Sequence, residues 1–315
     1  LMLATPTFAA DFTITAADGT ETTPQVLNGA STGVIEAGGT LTVGAGLDAI
    51  DVVGPDNTLT NNGAITAGNT GIYSAPNATN ATITNSGTIN AGGNGILSKG
   101  ANTTITNSGI IDGGTYGIDS SGANATITNS GSITGDNAVV SFGDDVTITN
   151  SGTITSTLFE GIFSSGDDAT ITNSGTITST RSGILSTGDD ATITNSGTIT
   201  ATRDSISSSG DDVTITNSGT INAGDDGINS TGANATINNS GHITGTNTAV
   251  RGGTSDSLTL NLLKGSQLMG AIDLRGADND TVNIHGGSVS ATLTFVSTEN
   301  INLLGPGLKL SGDVV

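Results

Sequence analysis

Few side chains in this 315-residue chain are suited to chemistry: seven Lys and Arg, two His and no Cys. One group of them recurs at a fixed interval. Arg181 and Arg203 are 22 residues apart, and Asp225 follows at the same step. Glu160, Ser182 and Asp204 form the neighbouring series. Guanidinium and carboxylate groups brought together in this way hydrogen-bond sugar hydroxyls or carboxylates, and paired carboxylates are the machinery of glycosidic-bond cleavage. Leu158, Phe159 and Phe163 lie in the one unit that carries an insertion, and add aromatic surface beside the charges. The expected ligand-binding patch is therefore Phe159, Glu160, Phe163, Arg181, Arg203 and Asp204. Its plainer alternative is a surface salt bridge between Arg203 and Asp225, worth little in stability.

A second series is acidic. Asp144-Asp145, Asp167-Asp168, Asp189-Asp190 and Asp211-Asp212 fall at the same point of four successive units. Like charges about 4.8 Å apart repel by roughly 0.9 kcal/mol per pair in water. Calcium relieves such repulsion when six to eight oxygens converge. Asp167, Asp168, Asp189 and Asp190 are the weak metal candidates. Ala101-Asn102, Ala123-Asn124 and Ala233-Asn234 occupy the same point elsewhere, so a small polar turn former suffices there. No specific metal site and no cofactor is expected. Nucleophilic hydrolysis needs a base beside a Ser. His242 stands at an outward strand position and His285 in an irregular segment, and neither adjoins a nucleophile motif. No catalytic residue is assigned, and the chain is not expected to be an enzyme.

The elements that must position these residues follow from one repeated unit, A-T-I-T-N-S-G-T-I-T, then G-I-x-S and a Gly-Asp-Asp or Gly-Ala-Asn turn. The N-S-G steps begin at Asn85, Asn107, Asn129, Asn150, Asn173, Asn195 and Asn217, and Asn239 continues the series. A period of about 22 residues is the mark of a solenoid. Within a unit, polar and apolar residues alternate three times, as in strands with one buried face, and turn residues separate them. No unit has room for a helix, so each strand pairs with its equivalent one unit on. The fold class expected is all-β: a right-handed parallel β-helix of twelve or thirteen three-sided coils. Right-handedness follows from the crossover rule for parallel strands. At ~4.8 Å per coil the shaft is about 60 Å long. The inward columns are Ile83 to Ile237, Ile89 to Ile243 and Ile96 to Val250. The repeated Asn suits a hydrogen-bonded ladder along the stack. Residues 1–10 are set apart, 11–56 hold the cap and first coils, 57–256 the regular repeats, and 257–315 irregular coils.

Composition narrows the partners. A net charge of −21 with only seven basic residues disfavours nucleic acid. No apolar run is long enough to span a membrane. Leu1 to Ala10 resembles the end of a signal peptide with small residues at a cleavage site, which implies export. Thr82/Thr84 to Thr214/Thr216 would form a two-wide uncharged array, similar to the Thr lattices of solenoid ice-binding proteins, although Thr suits any outward strand position.

The repeat at Ala169 to Thr178, the looser stretches Ser257 to Leu274 and Gly276 to Val282, and the closing Thr298 to Asp313 together resemble the passenger region of bacterial autotransporters, the type V secretion family. That resemblance implies a secreted or cell-surface protein of a Gram-negative bacterium. It also implies an outer-membrane association made through a barrel that is absent from this sequence. The function expected is non-enzymatic: an adhesin or spacer that contacts a host or neighbouring-cell protein or glycan, or a further copy of itself. The alternatives are a carbohydrate-binding or carbohydrate-cleaving β-helix and an ice-binding solenoid.

Overall fold

The computed structural model describes residues 11–253, 257–275, 279–285, 295–296 and 300–304. Alternation of Thr with Ile makes the strands. In one representative coil these are Thr170–Asn173, Thr176–Ser179 and Ile184–Ser186. Each pairs in parallel with its equivalent one coil on, so that Ile171 meets Ile193, Ile177 meets Ile199 and Ile184 meets Ile206. Three stacks of strands result, here called the first, second and third faces in chain order. The first face holds fourteen strands, and the solenoid makes about 12 turns of ~22 residues. The other regular element among the described residues is a 3-10 turn at Ala16–Asp18.

The three predicted aliphatic columns fill the interior. Ile171, Ile177 and Ile184 are fully buried, as are their counterparts Ile193, Ile199 and Ile206. Burying one such side chain contributes about 2 kcal/mol relative to exposure. Because each coil adds one Ile per face, stability is distributed along the shaft rather than gathered in one core.

Polar groups inside the shaft are satisfied by stacking. Asn173 Nδ2 donates to Asn195 Oδ1 at 2.8 Å, and the same bond recurs from Asn61 to Asn239. Each of these Asn side chains is buried. The glycine two residues later has a packing reason. A methyl group on Gly175 would overlap the carbonyl oxygen of Gly152 in the coil below. The Asp corner has a conformational reason: Asp145, Asp168, Asp190 and Asp212, and equally Asn102, Asn124 and Asn234, have φ of 56° or 57°. That left-handed region favours Asn and Asp among residues with a side chain. The corner is thus more selective than a general preference for small polar residues.

Regularity changes beyond Asn239. The second- and third-face strands fuse into His242–Arg251 and then Gln267–Asp273, with register shifts between them. The inward Asn column is replaced by Leu262 and Ile284. An outward ladder takes its place, with Asn261 donating to Asn238 at 2.8 Å and Asn283 to Asn261 at 2.9 Å. The signal-like Leu1 to Ala10 and the closing Gly305 to Asp313 lie outside the described residues.

Candidate functional site

The outward residues of the three faces differ. On the first face, from Thr82 to Thr216, every outward position is Thr, in register from coil to coil. On the second face Thr again dominates, with Ile110 at 51% and Met269 at 63% as exposed apolar exceptions. The third face is unlike both. Its outward column reads Asp51, Tyr73, Leu97, Asp119, Val140, Phe163, Leu185 and then Ser207, Asn229 and Arg251. This column is more apolar than the outward columns of the other two faces, a ribbon of part-exposed side chains interrupted by Asp119 and by Val140, which is itself buried. Exposed apolar side chains gathered within a polar surround mark an interaction site.

The ribbon is widest at Phe163. Phe142, half-exposed, meets the Phe163 ring edge-on with centroids 5.8 Å apart. Leu158 and Phe159 are exposed at the opposite end of the same coil's third-face strand. Further down, Lys99 Nζ lies 5.5 Å from the Tyr73 ring centroid. Asp119 carries a buried oxygen with no hydrogen-bond partner. Burial pushes its carboxyl above the ordinary range, against the opposing pull of Lys99. Asp51 is raised in the same way, by burial and then by the charge of Asp48.

The corner before the third face gathers the predicted patch. Backbone bonds from Gly161 to Ser182, Gly183 to Asp204 and Ser205 to Asp226 stack one column, and Arg203 to Arg181 and Asp225 to Arg203 stack the other. The aligned series is therefore real in space. The expected Arg203–Asp225 ion pair is not. Arg181 pairs instead with the buried Glu160, at 3.2 Å. Arg203 is exposed and makes no ion pair among the described residues. Asp204 is buried and accepts from Asn229 Nδ2 at 3.1 Å.

Sequence reading missed Asp226 and Arg251. Asp226 is fully buried and accepts from the Thr248 hydroxyl at 2.7 Å, the Thr248 amide and Asn247. It also holds Arg251 at 2.9 Å, and that hydrogen bond, more than the charges of Asp226 and Asp204, raises the guanidinium's affinity for its proton against the opposing effect of desolvation. Ligand oxygens of Asp204, Asp225 and Asp226 come within 4.8 Å of one another. The signal was present: Asp226 continues the Glu160–Asp204 column, and Arg251 continues the variable residue of G-I-x-S.

The weaker metal candidates have a structural task. Asp144 Oδ1 accepts the Asp167 amide at 3.1 Å, Asp167 accepts Asp189 at 2.9 Å, and Asp189 accepts Asp211 at 2.8 Å. Asp168 and Asp190 hold the left-handed position. Asp190 is raised by desolvation and by the carboxylates of Asp168 and Asp212. Of the two histidines, His242 contacts Gln267 and Thr244 on the second face.

Residues 113–213 match a family model described as the BigA third pectate lyase-like domain. The match is to a β-helix type of domain and agrees with the solenoid. It takes in the Glu160–Arg181 pair and Phe163, and ends before Asp225 and Asp226. No curated protein and no solved structure matches the chain.

Proposed function

We propose that this chain is a non-enzymatic β-helix of the autotransporter passenger type. In this reading it is displayed at the surface of a Gram-negative bacterium as an adhesin or spacer. The observation that carries the reading is the contrast between faces: two present repetitive Thr, while the third presents Tyr73, Leu97, Phe163 and Leu185 in part, with Phe142, Leu158 and Phe159 exposed beside them. A rigid shaft with one apolar side is suited to contact along its length, and aromatic residues with Arg at the margin are the usual anchors of such contacts. The contact partner is a cell-surface protein or glycan, or another copy of the chain. A combined Phe142→Ser, Phe159→Ser, Phe163→Ser variant, shown by circular dichroism to fold, should lose most adhesion to cells or immobilised glycans. Full adhesion would sink the reading and return attention to the Thr faces.

A second reading is favoured by one observation, the convergence of Asp204, Asp225 and Asp226 beside Arg251. Such a corner is suited to binding or cleaving a polysaccharide, and the pectate lyase-like match is consistent with it. New reducing ends or unsaturated products released from acidic polysaccharides, and abolished by Asp225→Asn, would establish it.

A further inference from the structure

The first face is more uniform than strand chemistry requires. From Thr58/Thr60 to Thr214/Thr216, eight successive coils each present two outward Thr, with no break in register. Thr suits an outward strand position and stacks well on its copy. The second face belongs to the same repeat and stacks in the same way, yet its outward positions admit Asn90, Ile110, Asp112, Ser132 and Asn222. Strand preference, stacking and descent from one duplicated unit act on both faces alike. They do not account for the difference between them.

Two further observations concern what the uniform face offers. The chain has a net charge of −21, but none of its 28 Asp and Glu interrupts either Thr column. The carboxylates of the Asp corner stay at the rim: Asp168, for instance, is separated from Thr170 by the buried Ala169. The hydroxyls are also free. None of these Thr side chains hydrogen-bonds another protein group among the described residues. The first Thr of the pair is exposed at Thr82, Thr104, Thr170 and Thr192, and the second is half-buried. Because a β-branched side chain is stiff at χ1, each hydroxyl and methyl group is held in place by its strand.

We infer that the first face binds ice. This is a function separate from the third-face contact proposed above and does not rest on it. The Thr repeat is ~4.8 Å along the shaft and about 6.7 Å across it, two residues along a strand, and the array is about 34 Å long. A rectangular array with these two repeats is close to the oxygen lattice on the prism faces of ice. Fixing a water molecule at a protein surface ordinarily carries an entropy cost. At an ice front the water is ordered already, so a rigid array of matching hydroxyls gains its hydrogen bonds without that cost. Each contact is weak, and a rigid shaft makes the contacts of eight coils simultaneous. A charged group breaks the match, because it keeps a hydration shell of its own, as a Lys ammonium does.

Slow freezing of a dilute solution of the full chain tests this, with the protein in the ice and in the remaining liquid measured by gel. The unmodified chain should be at least tenfold richer in the ice than an acidic globular protein of similar size. Thr172→Lys with Thr194→Lys, at the centre of the array, should lower uptake at least tenfold. Thr178→Lys with Thr200→Lys, at the corresponding places of the second face, should leave it within twofold, as should the Phe variant described above. If the first-face Lys pair fails to fold by circular dichroism, Thr172→Ser with Thr194→Ser replaces it. That pair keeps the hydroxyls but loses the methyl groups and the stiff χ1, and should lower uptake at least threefold. Exclusion of the unmodified chain from ice would overturn the inference, even if it bound crystalline cellulose or chitin instead. So would unchanged uptake in the folded first-face variant, or equal losses from the two faces.

Discussion

The first and third faces are built from the same repeat and solve the same packing problem, yet they end differently. A first-face strand closes on Asn, and its buried amide bonds to the coils on both sides. A third-face strand closes on Ser, and the buried hydroxyls of Ser74, Ser98, Ser120, Ser141, Ser164, Ser186, Ser208 and Ser230 have no hydrogen-bond partner. Outside, the first face repeats Thr while the third varies from coil to coil. Repetition serves stacking, since an uncharged β-branched residue can lie directly over its copy without repulsion. Variation at a position that stacking leaves free points to contacts with something else. The comparison separates a face whose side chains hold the shaft together from the face proposed above to meet a partner.

The largest effect should be shared by both faces. Ile193→Asp or Ile206→Asp places an unpaired carboxylate at a fully buried site and should cost more than about 4 kcal/mol, enough to melt several coils. Thr192→Asp, one residue away and exposed, should change the melting temperature little. Equal losses would mean that inside and outside are assigned wrongly.

The next test divides the faces. Asn195→Ala removes a donor to Asn217 and Gly197 and an acceptor for Asn173, and should cost about 2–3 kcal/mol by denaturant unfolding. Ser186→Ala removes a hydroxyl that bonds nothing and should be neutral within about 0.5 kcal/mol or slightly stabilising. A Ser186→Ala loss as large as that of Asn195→Ala would erase the distinction drawn here.

A smaller effect should appear with pH. Asp51 and Asp119 have folded-state affinities for protons raised by burial, so the folded chain binds more protons than the unfolded chain just above the ordinary carboxylate range. Their contribution makes stability rise as pH falls from neutral through the raised folded-state values. The gain stops once the unfolded carboxylates are protonated as well. Asp18 and Glu21, lowered by backbone bonds from Thr15 and Thr23, act the other way near the N-terminal turn. Melting temperature against pH should flatten in Asp119→Asn, and an unchanged profile would show that the third face does not hold this carboxylate out of water.

The smallest expected effect concerns the Asp corner. Calcium and sodium at matched ionic strength should raise the melting temperature by nearly the same few degrees, through screening. A calcium-specific shift, lost when Asp167, Asp168, Asp189 and Asp190 are changed to Asn, would turn a structural corner into an ion site.

The sequence by itself determined the coil. Period, alternation and turn residues are local properties, and a unit that must stack on its copy leaves little choice of architecture. The three Ile columns and the Asn ladder were legible for that reason. So was the convergence of Glu160, Arg181, Arg203 and Asp204, because residues at equal phase of a solenoid become neighbours. Tertiary structure decided what side chains do once they are neighbours. Which carboxylate takes Arg181, and that Arg251 closes on Asp226, depends on reach and burial across a corner rather than on phase. The left-handed corner at Asp190 and the overlap that excludes a methyl group at Gly175 likewise arise from backbone passing over backbone. The apolar third face lay in the variable letter of G-I-x-S, where no single unit shows a pattern. It becomes a surface only when the coils are stacked and that letter is read along the shaft.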